Sequence, residues 1–235
     1  MLRAIWVTAI VIAYVVVVGP PLLLYTRLTR QTDRLYRAGM LGARLALWLA
    51  GVRLEVHGGE NILRAHPALY MANHQSNCDP PALLPLLPPV LVMVKKEFFR
   101  VPIMGSGMTR RGFIAVDRRD RDRARAAIER AVASMRAGNS FLVFPEGTRS
   151  PDGRLQAFKK GPFILAIEAA APIVPISISG AGKVMPKGKF VIHPGRIRIT
   201  VHSPIPTAGV TLHQRQDLME RTRKAIRAGL EPEEQ

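Results

Sequence analysis

The feature that most constrains the fold of this chain is an uncharged stretch close to its first residue. Residues 4–26 contain no Asp, Glu, Lys, Arg or His. About 20 apolar residues cross the hydrocarbon core of a bilayer, so the stretch is long enough to do so. Gly19, Pro20 and Pro21 interrupt it, and residues 4–18 alone would reach only roughly 22 Å as a helix. The sequence therefore predicts either a kinked span or a helix that enters one leaflet.

The arginines around this stretch predict its orientation. Arg3 precedes it, and four arginines follow it, at Arg27, Arg30, Arg34 and Arg37. An excess of positive charge marks the cytoplasmic side of a membrane segment. We therefore expect a cell membrane or another inner membrane, with the rest of the chain on the cytoplasmic side. A secretory signal fits less well, because no small-residue cleavage site follows the stretch.

A second apolar run, residues 38–50, carries Arg44 inside it and has an amphipathic pattern. Two interpretations stay open for it. The run is typical of a helix that lies in the membrane interface, or it packs on the following domain through Leu45, Leu47, Trp48 and Leu49. In either case residues 1–50 are predicted to form a membrane-associated helical segment.

The overall charge narrows the class of partner. The chain has 34 Lys and Arg against 17 Asp and Glu, a net charge of +17, so its surface favours phosphate groups in nucleic acid or in anionic lipid. Aromatic residues make up only 6%, too few to suggest a base-stacking platform, and no nucleic-acid motif is present. We therefore expect an anionic membrane surface and no nucleic acid. The single Cys excludes an intramolecular disulfide.

Residues 51–235 are predicted to form an α/β domain. Short β-branched runs alternate with amphipathic ones, as in domains that pack helices on a sheet. The predicted strands are VRLEVH, ALYMA, VLVMV, FIAV, FLVF, IVPISIS, FVIH and RIRITVH. The predicted helices cover residues 124–135, 158–170 and 212–230.

The heptapeptide NHQSNCD, residues 73–79, follows the predicted strand ALYMA and is rich in reactive side chains. His74 and Asp79 would not share a face of a helix or of a strand, so they meet only if the loop turns. Pro80 and Pro81 favour a helix start after an Asp cap, and such a turn returns the carboxylate towards the imidazole. An imidazole held by a carboxylate is a general base. Alternatively, Asp79 merely caps a helix and His74 is a solvated loop residue.

A second loop, FPEGTRS at residues 144–150, follows the predicted strand FLVF. Gly147 permits unusual backbone angles and exposes amide donors. Thr148 adds a hydroxyl, Arg149 a planar fork suited to phosphate, and Glu146 an acid among these donors. The alternative is a basic surface turn. Another strand, in GFIAVDR at residues 112–118, ends with an acid and Arg118.

Together these stretches resemble the family of 1-acylglycerol-3-phosphate acyltransferases and related glycerolipid acyltransferases. NHQSNCD matches the family pattern N-H-x-S-x-x-D, and FPEGTRS matches its motif in full. GFIAVDR is similar to the stretch G-x-I-F-I-D-R, with Ala115 where an aromatic is usual, and IVPISI is similar to V-P-V-x-I. KKE at residues 95–97 and FKKG at residues 158–161 also fit, so the resemblance covers residues 50–215.

The resemblance implies roles for seven residues and a mixed central sheet flanked by helices. His74 would be the catalytic base and Asp79 its orienting partner. The glycerophosphate of the acceptor would be held by Glu146, Gly147, Thr148 and Arg149, with help from Arg118. Ala115 departs from the pattern and leaves the wall of the acceptor site open to question.

The implied reaction is transfer of a fatty acyl group from an acyl thioester to the hydroxyl of 1-acylglycerol-3-phosphate, which gives phosphatidic acid. The co-substrate would be acyl-CoA or acyl carrier protein, with no other cofactor and no metal, since no third or fourth metal ligand lies at a recognisable spacing. Another lysolipid, such as a lyso-ornithine lipid, is the alternative acceptor. Cys78 offers an alternative covalent route, although a small buried Cys is the commoner finding.

Overall fold

The computed structural model describes residues 1–235 and contains eight α-helices and seven strands. The helices are α1 (Leu2–Thr29), α2 (Asp33–Leu49), α3 (Asp79–Leu83), α4 (Met104–Arg111), α5 (Arg121–Arg136), α6 (Gly161–Glu168), α7 (Ala181–Val184) and α8 (Arg215–Ala228). The strands are β1 (Val52–His57), β2 (Leu69–Ala72), β3 (Val90–Lys95), β4 (Ile114–Val116), β5 (Ser140–Val143), β6 (Ile173–Ser179) and β7 (Gly195–Val201).

The strands form one sheet in the order β1-β7-β6-β2-β5-β3-β4. All neighbours are parallel except β6 and β7, which are antiparallel, so the predicted mixed sheet is confirmed. Strand β2 lies at the centre, between β5 and β6, with Met71 opposite Val143 of β5. Because β2 and β5 are parallel, their carboxyl ends share one edge of the sheet. The loops 73–79 and 144–150 both leave from that edge.

The core lies on both faces of the sheet, as the period of two along β2 requires. Tyr70 and Ala72 face a cluster that includes buried residues of α2, α3 and α7. Leu69 and Met71 face a second cluster, formed with α5, α6 and α8. These six helices each bury residues against the sheet, and the central strand is buried on both sides.

Helix α1 is continuous through Pro20 and Pro21, so the prediction that these residues break the stretch was wrong. Its 28 residues reach roughly 42 Å, and it is the one helix long and apolar enough to cross a membrane. Side-chain contacts hold α1 against the rest of the chain on both sides of this region. The hydroxyl of Tyr14 donates to the carbonyl of Ala38 in α2 at 2.8 Å. The side chain of Ile103 lies against Gly19, where any Cβ would clash with it.

Helix α2 combines the two interpretations of residues 38–50. Leu47 is buried in the core beside α3 and α7. Trp48, by contrast, is 73% exposed, and Leu41 is exposed as well. One face of α2 therefore packs on the domain, while the other leaves large apolar side chains uncovered.

Three predicted elements differ from the structure. FVIH, residues 190–193, is not a strand; Ile192 instead packs on Ala4 and Val7 of α1, while β7 already pairs with β1. The helix predicted over residues 158–170 begins only at Gly161, because the amide of Lys159 donates to Pro145 and holds the 144–150 loop. The helix predicted over residues 212–230 divides into a capped 3-10 turn, Leu212–Gln214, and α8.

Candidate active site

The loop between β2 and α3 brings His74 and Asp79 together. Nδ1 of His74 lies 2.7 Å from Oδ2 of Asp79. The same oxygen accepts the backbone N–H groups of Gln75 and Ser76, at 2.7 and 2.8 Å. Asp79 is fully buried and is the first residue of α3, but its carboxylate turns back into the loop and bonds no amide of the helix. The interpretation that Asp79 merely caps a helix was therefore wrong.

The imidazole of His74 is held on a second side by an aromatic ring. It stacks on Phe144, with the ring centroids 4.1 Å apart and an angle of 21° between the planes. Its side chain is 16% exposed, so it is not the solvated residue of the alternative interpretation. Because Asp79 accepts at Nδ1, that nitrogen carries the proton and Nε2 has its lone pair free. The arrangement is that of a base with a fixed tautomer.

Glu146 joins the two loops at the edge of the sheet. Its side chain is only 1% exposed, and Oε1 accepts the backbone N–H of His74 at 2.7 Å. Oε2 accepts the N–H of Gln156 at 3.0 Å. The N–H of Ser150 in turn donates to the carbonyl of His74 at 2.7 Å. The backbone of His74 is thus fixed on both sides by the 144–150 loop.

Burial raises the pKa of Glu146 to about 7, since the charged form loses its hydration. The bonds from His74 and Gln156 oppose this rise, as does the cation of Arg223, while the charge of Asp79 adds to it. The ionised carboxylate is the form that can accept both amide protons. The ionised fraction of Glu146, and with it the hydrogen bonds that hold the backbone of His74, therefore depends on pH near neutrality.

A cavity of about 330 Å³ is lined by Phe144, the residue whose ring stacks on His74, while His74 and Asp79 themselves do not line it. Its lining has both polar and apolar residues, including Arg118, Phe144, Glu146, Gly147, Thr148, Lys159, Met93, Val116, Ile128 and Val143. Gly147 has a φ of +73°, which a residue with a side chain rarely adopts. The cavity can therefore receive a ligand with one charged end and one apolar part.

Three cations in the loops that contribute to this cavity have no ion-pair partner in the chain, namely Arg118, Lys159 and Arg149. Arg118 and Lys159 line the cavity directly. Arg149 does not line it; its carbonyl accepts a bond from Lys187 at 2.6 Å, and its guanidinium makes no bond within the chain. Unpaired cations beside a cavity favour a phosphate-bearing ligand.

Ala115 and Cys78, two further residues considered in the sequence analysis, both lie outside the cavity. Ala115 lies in a separate surface groove, beside Lys96 and Asp117, so its departure from the family pattern does not alter the wall of the cavity. In that groove Lys96 binds Asp117 at 2.5 Å, which fixes the turn that carries Arg118. Cys78 is buried, and burial raises the pKa of its thiol to about 11. A thiol of that pKa is a poor nucleophile at neutral pH.

Several residues that build the candidate site escaped the sequence analysis. Phe144 and Lys159 lie inside the motifs FPEGTRS and FKKG, so their motif membership was the available signal. Gln156 acts through its backbone N–H, which leaves no trace in the choice of side chain. Asn73 extends the ladder from β2, because its amide group exchanges two hydrogen bonds with the backbone of Ile178 in β6, at 2.8 and 2.7 Å.

Comparisons with known proteins identify the family and the fold of this chain. A family model described as Acyltransferase matches residues 53–179. The chain is 34% identical over 202 residues to the chloroplastic 1-acyl-sn-glycerol-3-phosphate acyltransferase BAT2 of Brassica napus, covering 85% of this chain and 58% of the relative. It is 30% identical to the 1-acyl-sn-glycerol-3-phosphate acyltransferase of Borreliella burgdorferi, covering 80% of this chain and 76% of that protein.

The chain spans about half the length of the plant relatives, with 58% of the Brassica napus protein and 44% of LPAT1 of Arabidopsis thaliana covered. A crystal structure of the 1-acyl-sn-glycerophosphate acyltransferase PlsC of Thermotoga maritima is similar, with a TM-score of 0.85 and 26% identity over 97% of this chain and 93% of that one. The mixed sheet and its flanking helices are therefore shared. The chain belongs to the acyltransferase family that its motifs resemble.

Proposed function

We propose that this protein transfers a fatty acyl group from an acyl thioester to the free hydroxyl of 1-acylglycerol-3-phosphate, giving phosphatidic acid. The observation that carries the proposal is the His74–Asp79 pair, bonded at 2.7 Å beside a cavity with unpaired cations. The names of the matched relatives support the choice of acceptor.

In the proposed mechanism Nε2 of His74 removes the proton of the acceptor hydroxyl as the oxygen attacks the thioester carbonyl. Asp79 stabilises the imidazolium that forms. The tetrahedral intermediate collapses to the ester, the C–S bond breaks, and the thiolate takes the proton from His74. Base catalysis of this kind contributes roughly 10²- to 10⁴-fold. The oxyanion partner is proposed to be a backbone amide.

The acceptor phosphate is proposed to lie against Arg118 and Lys159, with Thr148 and the backbone of Gly147 beside it. Arg149 follows directly and has its guanidinium unpaired, so it is proposed as a further phosphate contact. Glu146 belongs to the same motif, but both of its oxygens already accept amide protons. Its proposed contribution to substrate binding is to hold the loop that presents Gly147 and Thr148.

The proposed setting is an anionic membrane surface, into which α1 inserts from the cytoplasmic side. The exposed apolar residues of α1 and α2 support this placement, and Trp6, Val17 and Trp48 are among them. The acyl donor is proposed to be acyl-CoA or acyl carrier protein, with no other cofactor and no metal.

The test is acyl transfer by the purified protein to a panel of lysolipids, with each donor in turn. We expect product with 1-acylglycerol-3-phosphate and little with lysolipids that lack a phosphate monoester, such as a lyso-ornithine lipid. Equal or better use of such an acceptor would replace the proposed substrate. Ala115, whose departure from the family pattern had left the wall of the acceptor site open to question, lies outside the cavity and so does not favour that alternative.

A further inference from the structure

Arg223 of α8 contacts residues 155–158, the segment whose Gln156 amide binds Glu146. Its guanidinium donates one hydrogen bond to the carbonyl of Gln156 and another to the carbonyl of Leu155 at 3.1 Å. The guanidinium also lies over the ring of Phe158, 5.5 Å from its centroid. Arg223 makes no ion pair and does not line the cavity beside His74. Its position is therefore fixed by two backbone carbonyls and one aromatic ring.

One rigid peptide group connects Arg223 to the catalytic loop. The carbonyl of Leu155 and the N–H of Gln156 belong to the same planar unit. Arg223 binds the carbonyl side of this unit, and Oε2 of Glu146 accepts from its N–H side at 3.0 Å. A cation on the carbonyl polarises the N–H and fixes its direction. The other oxygen of Glu146 accepts the N–H of His74 at 2.7 Å.

We propose that Arg223 is a positioning residue: it orients the Leu155–Gln156 peptide so that Glu146 holds the backbone of His74 in place for proton transfer. The proposal rests on the proposed function, in which His74 is the base. It places a contributor to catalysis on a helix outside every motif of the sequence.

The charges around Glu146 give Arg223 a second effect on the same carboxylate. Asp79 of α3 faces Glu146 and disfavours its ionised form, while Arg223 of α8 favours it. Lys159 lines the cavity together with Glu146, and the backbone N–H of His74 donates to Glu146. Removing the cation of Arg223 therefore raises the pKa of Glu146 further above its ordinary value.

Loss of the Arg223 side chain should not detach residues 155–158 from the rest of the chain. The N–H of Leu155 donates to the carbonyl of Glu234 at 2.9 Å, and its side chain packs with Ile226 and Leu230. These anchors remain in Arg223→Met. The variant loses the orientation of one peptide and one nearby positive charge, so a fold retained with impaired chemistry is the expected outcome.

The kinetic test compares Arg223→Met, Arg223→Lys and the matched control Arg227→Met, an exposed arginine of the same helix. In Arg223→Met we expect kcat to fall about tenfold or more, as the loss of a charge-assisted bond implies, with KM for the acceptor nearly unchanged. The acidic limb of its pH profile should move to higher pH. Arg223→Lys should restore the pH profile and part of kcat, and Arg227→Met should resemble the wild type.

A second measurement does not depend on activity. Amide hydrogen exchange at His74 and Gln156 should be faster in Arg223→Met than in the wild type, while Arg227→Met and the strand amides of β2 stay unchanged. Unaltered exchange at both amides, or a variant that loses only acceptor affinity, would overturn the proposal. A wild-type protein without acyl transfer would contradict the proposed function instead, and the exchange result would still decide the role of Arg223.

Discussion

At the scale of single residues, Asp79 has the most demanding role because one of its oxygens serves three donors. Oδ2 accepts from His74, Gln75 and Ser76 inside a fully buried site. Two of these bonds shape the loop, and the third sets the tautomer of the base. A single carboxylate therefore links the local fold to the proposed chemistry.

The first prediction concerns this pair. His74→Ala should abolish acyl transfer, and Asp79→Asn should cost up to about 10⁴-fold, because the wrong tautomer is then favoured. Cys78→Ser is the matched control from the same loop and should stay active, since the buried thiol is not ionised. Initial rates with purified variants decide the matter. Substantial turnover by His74→Ala would exclude the base role, and inactive Cys78→Ser would favour the covalent route.

The second prediction concerns pH and Glu146. Its carboxyl should titrate with a midpoint near its pKa of about 7, and kcat should fall as pH drops through that value, because the protonated form no longer accepts both amides. Folding responds with the opposite sign. A carboxyl whose pKa is raised in the folded state favours folding most at low pH, and this contribution is lost as pH rises from about 4.5 to 7. Carboxyl NMR of labelled Glu146 together with a pH profile of kcat provides the check; a midpoint near 4.5 would contradict it.

The third prediction separates the cations near the cavity. Arg118→Ala and Lys159→Ala should raise KM for the phosphate-bearing acceptor about tenfold or more, since each removes a charge-assisted contact. Arg149→Ala should do the same, because its guanidinium is proposed to bind the phosphate, and Arg149→Lys should restore this only in part. The KM for the acyl donor should change little in every case. If only Arg118 and Lys159 affect the acceptor, Arg149 is not a phosphate contact.

At the scale of elements, one of the close contacts of α1 is made at a glycine. Gly19 lies against Ile103, which precedes α4 and has a φ of +62°, an unusual angle for a β-branched residue. A methyl group at position 19 would displace the Ile103 side chain. Gly39 of α2 has no atom near its Cβ position. The two glycines therefore form a matched pair.

The fourth prediction uses this pair. Gly19→Ala should lower the free energy of unfolding, because Ile103 must shift in a close-packed contact. Gly39→Ala should raise it by up to about 1 kcal/mol, the helix propensity gained in an open position. Thermal or denaturant unfolding in detergent measures both. Equal effects of the two substitutions would show that the contact between α1 and Ile103 contributes nothing.

Some features of these elements could be predicted from the sequence, and others could not. The dyad could be predicted because Pro80 and Pro81 signal the turn that brings Asp79 back to His74. The brace at Glu146 could not, since its partners are backbone amides of His74 and Gln156, which any residue supplies. The continuity of α1 was missed for a similar reason. Local rules for Pro20 and Pro21 predict a break. The contacts that α1 makes, Tyr14 with Ala38 and Gly19 with Ile103, join residues distant in sequence, so local rules do not include them.

At the scale of the whole molecule, apolar and basic surfaces would contribute differently to the proposed membrane binding. Helix α1 leaves most of its apolar length uncovered, and α2 adds Leu41 and Trp48. The net charge of +17 is spread over the rest of the chain as well. Apolar insertion resists salt, whereas attraction between exposed charges is screened by it. The apolar and the electrostatic contributions can therefore be separated by varying the salt concentration.

The fifth prediction follows from this difference. The full chain should stay on anionic vesicles at high salt, because the proposed insertion of α1 depends on apolar contact. A variant without residues 1–30 should still bind at low salt, since each Lys or Arg near an anionic leaflet contributes roughly 1 kcal/mol, and should dissociate as salt rises. Adding Trp48→Ser to the truncation should weaken the low-salt binding further, because α2 then carries the remaining apolar contact. Vesicle sedimentation over a salt series, with thermal unfolding to confirm that the truncated protein is folded, measures this. A folded truncated protein that ignores anionic vesicles at low salt would show that the basic surface has no part in membrane binding.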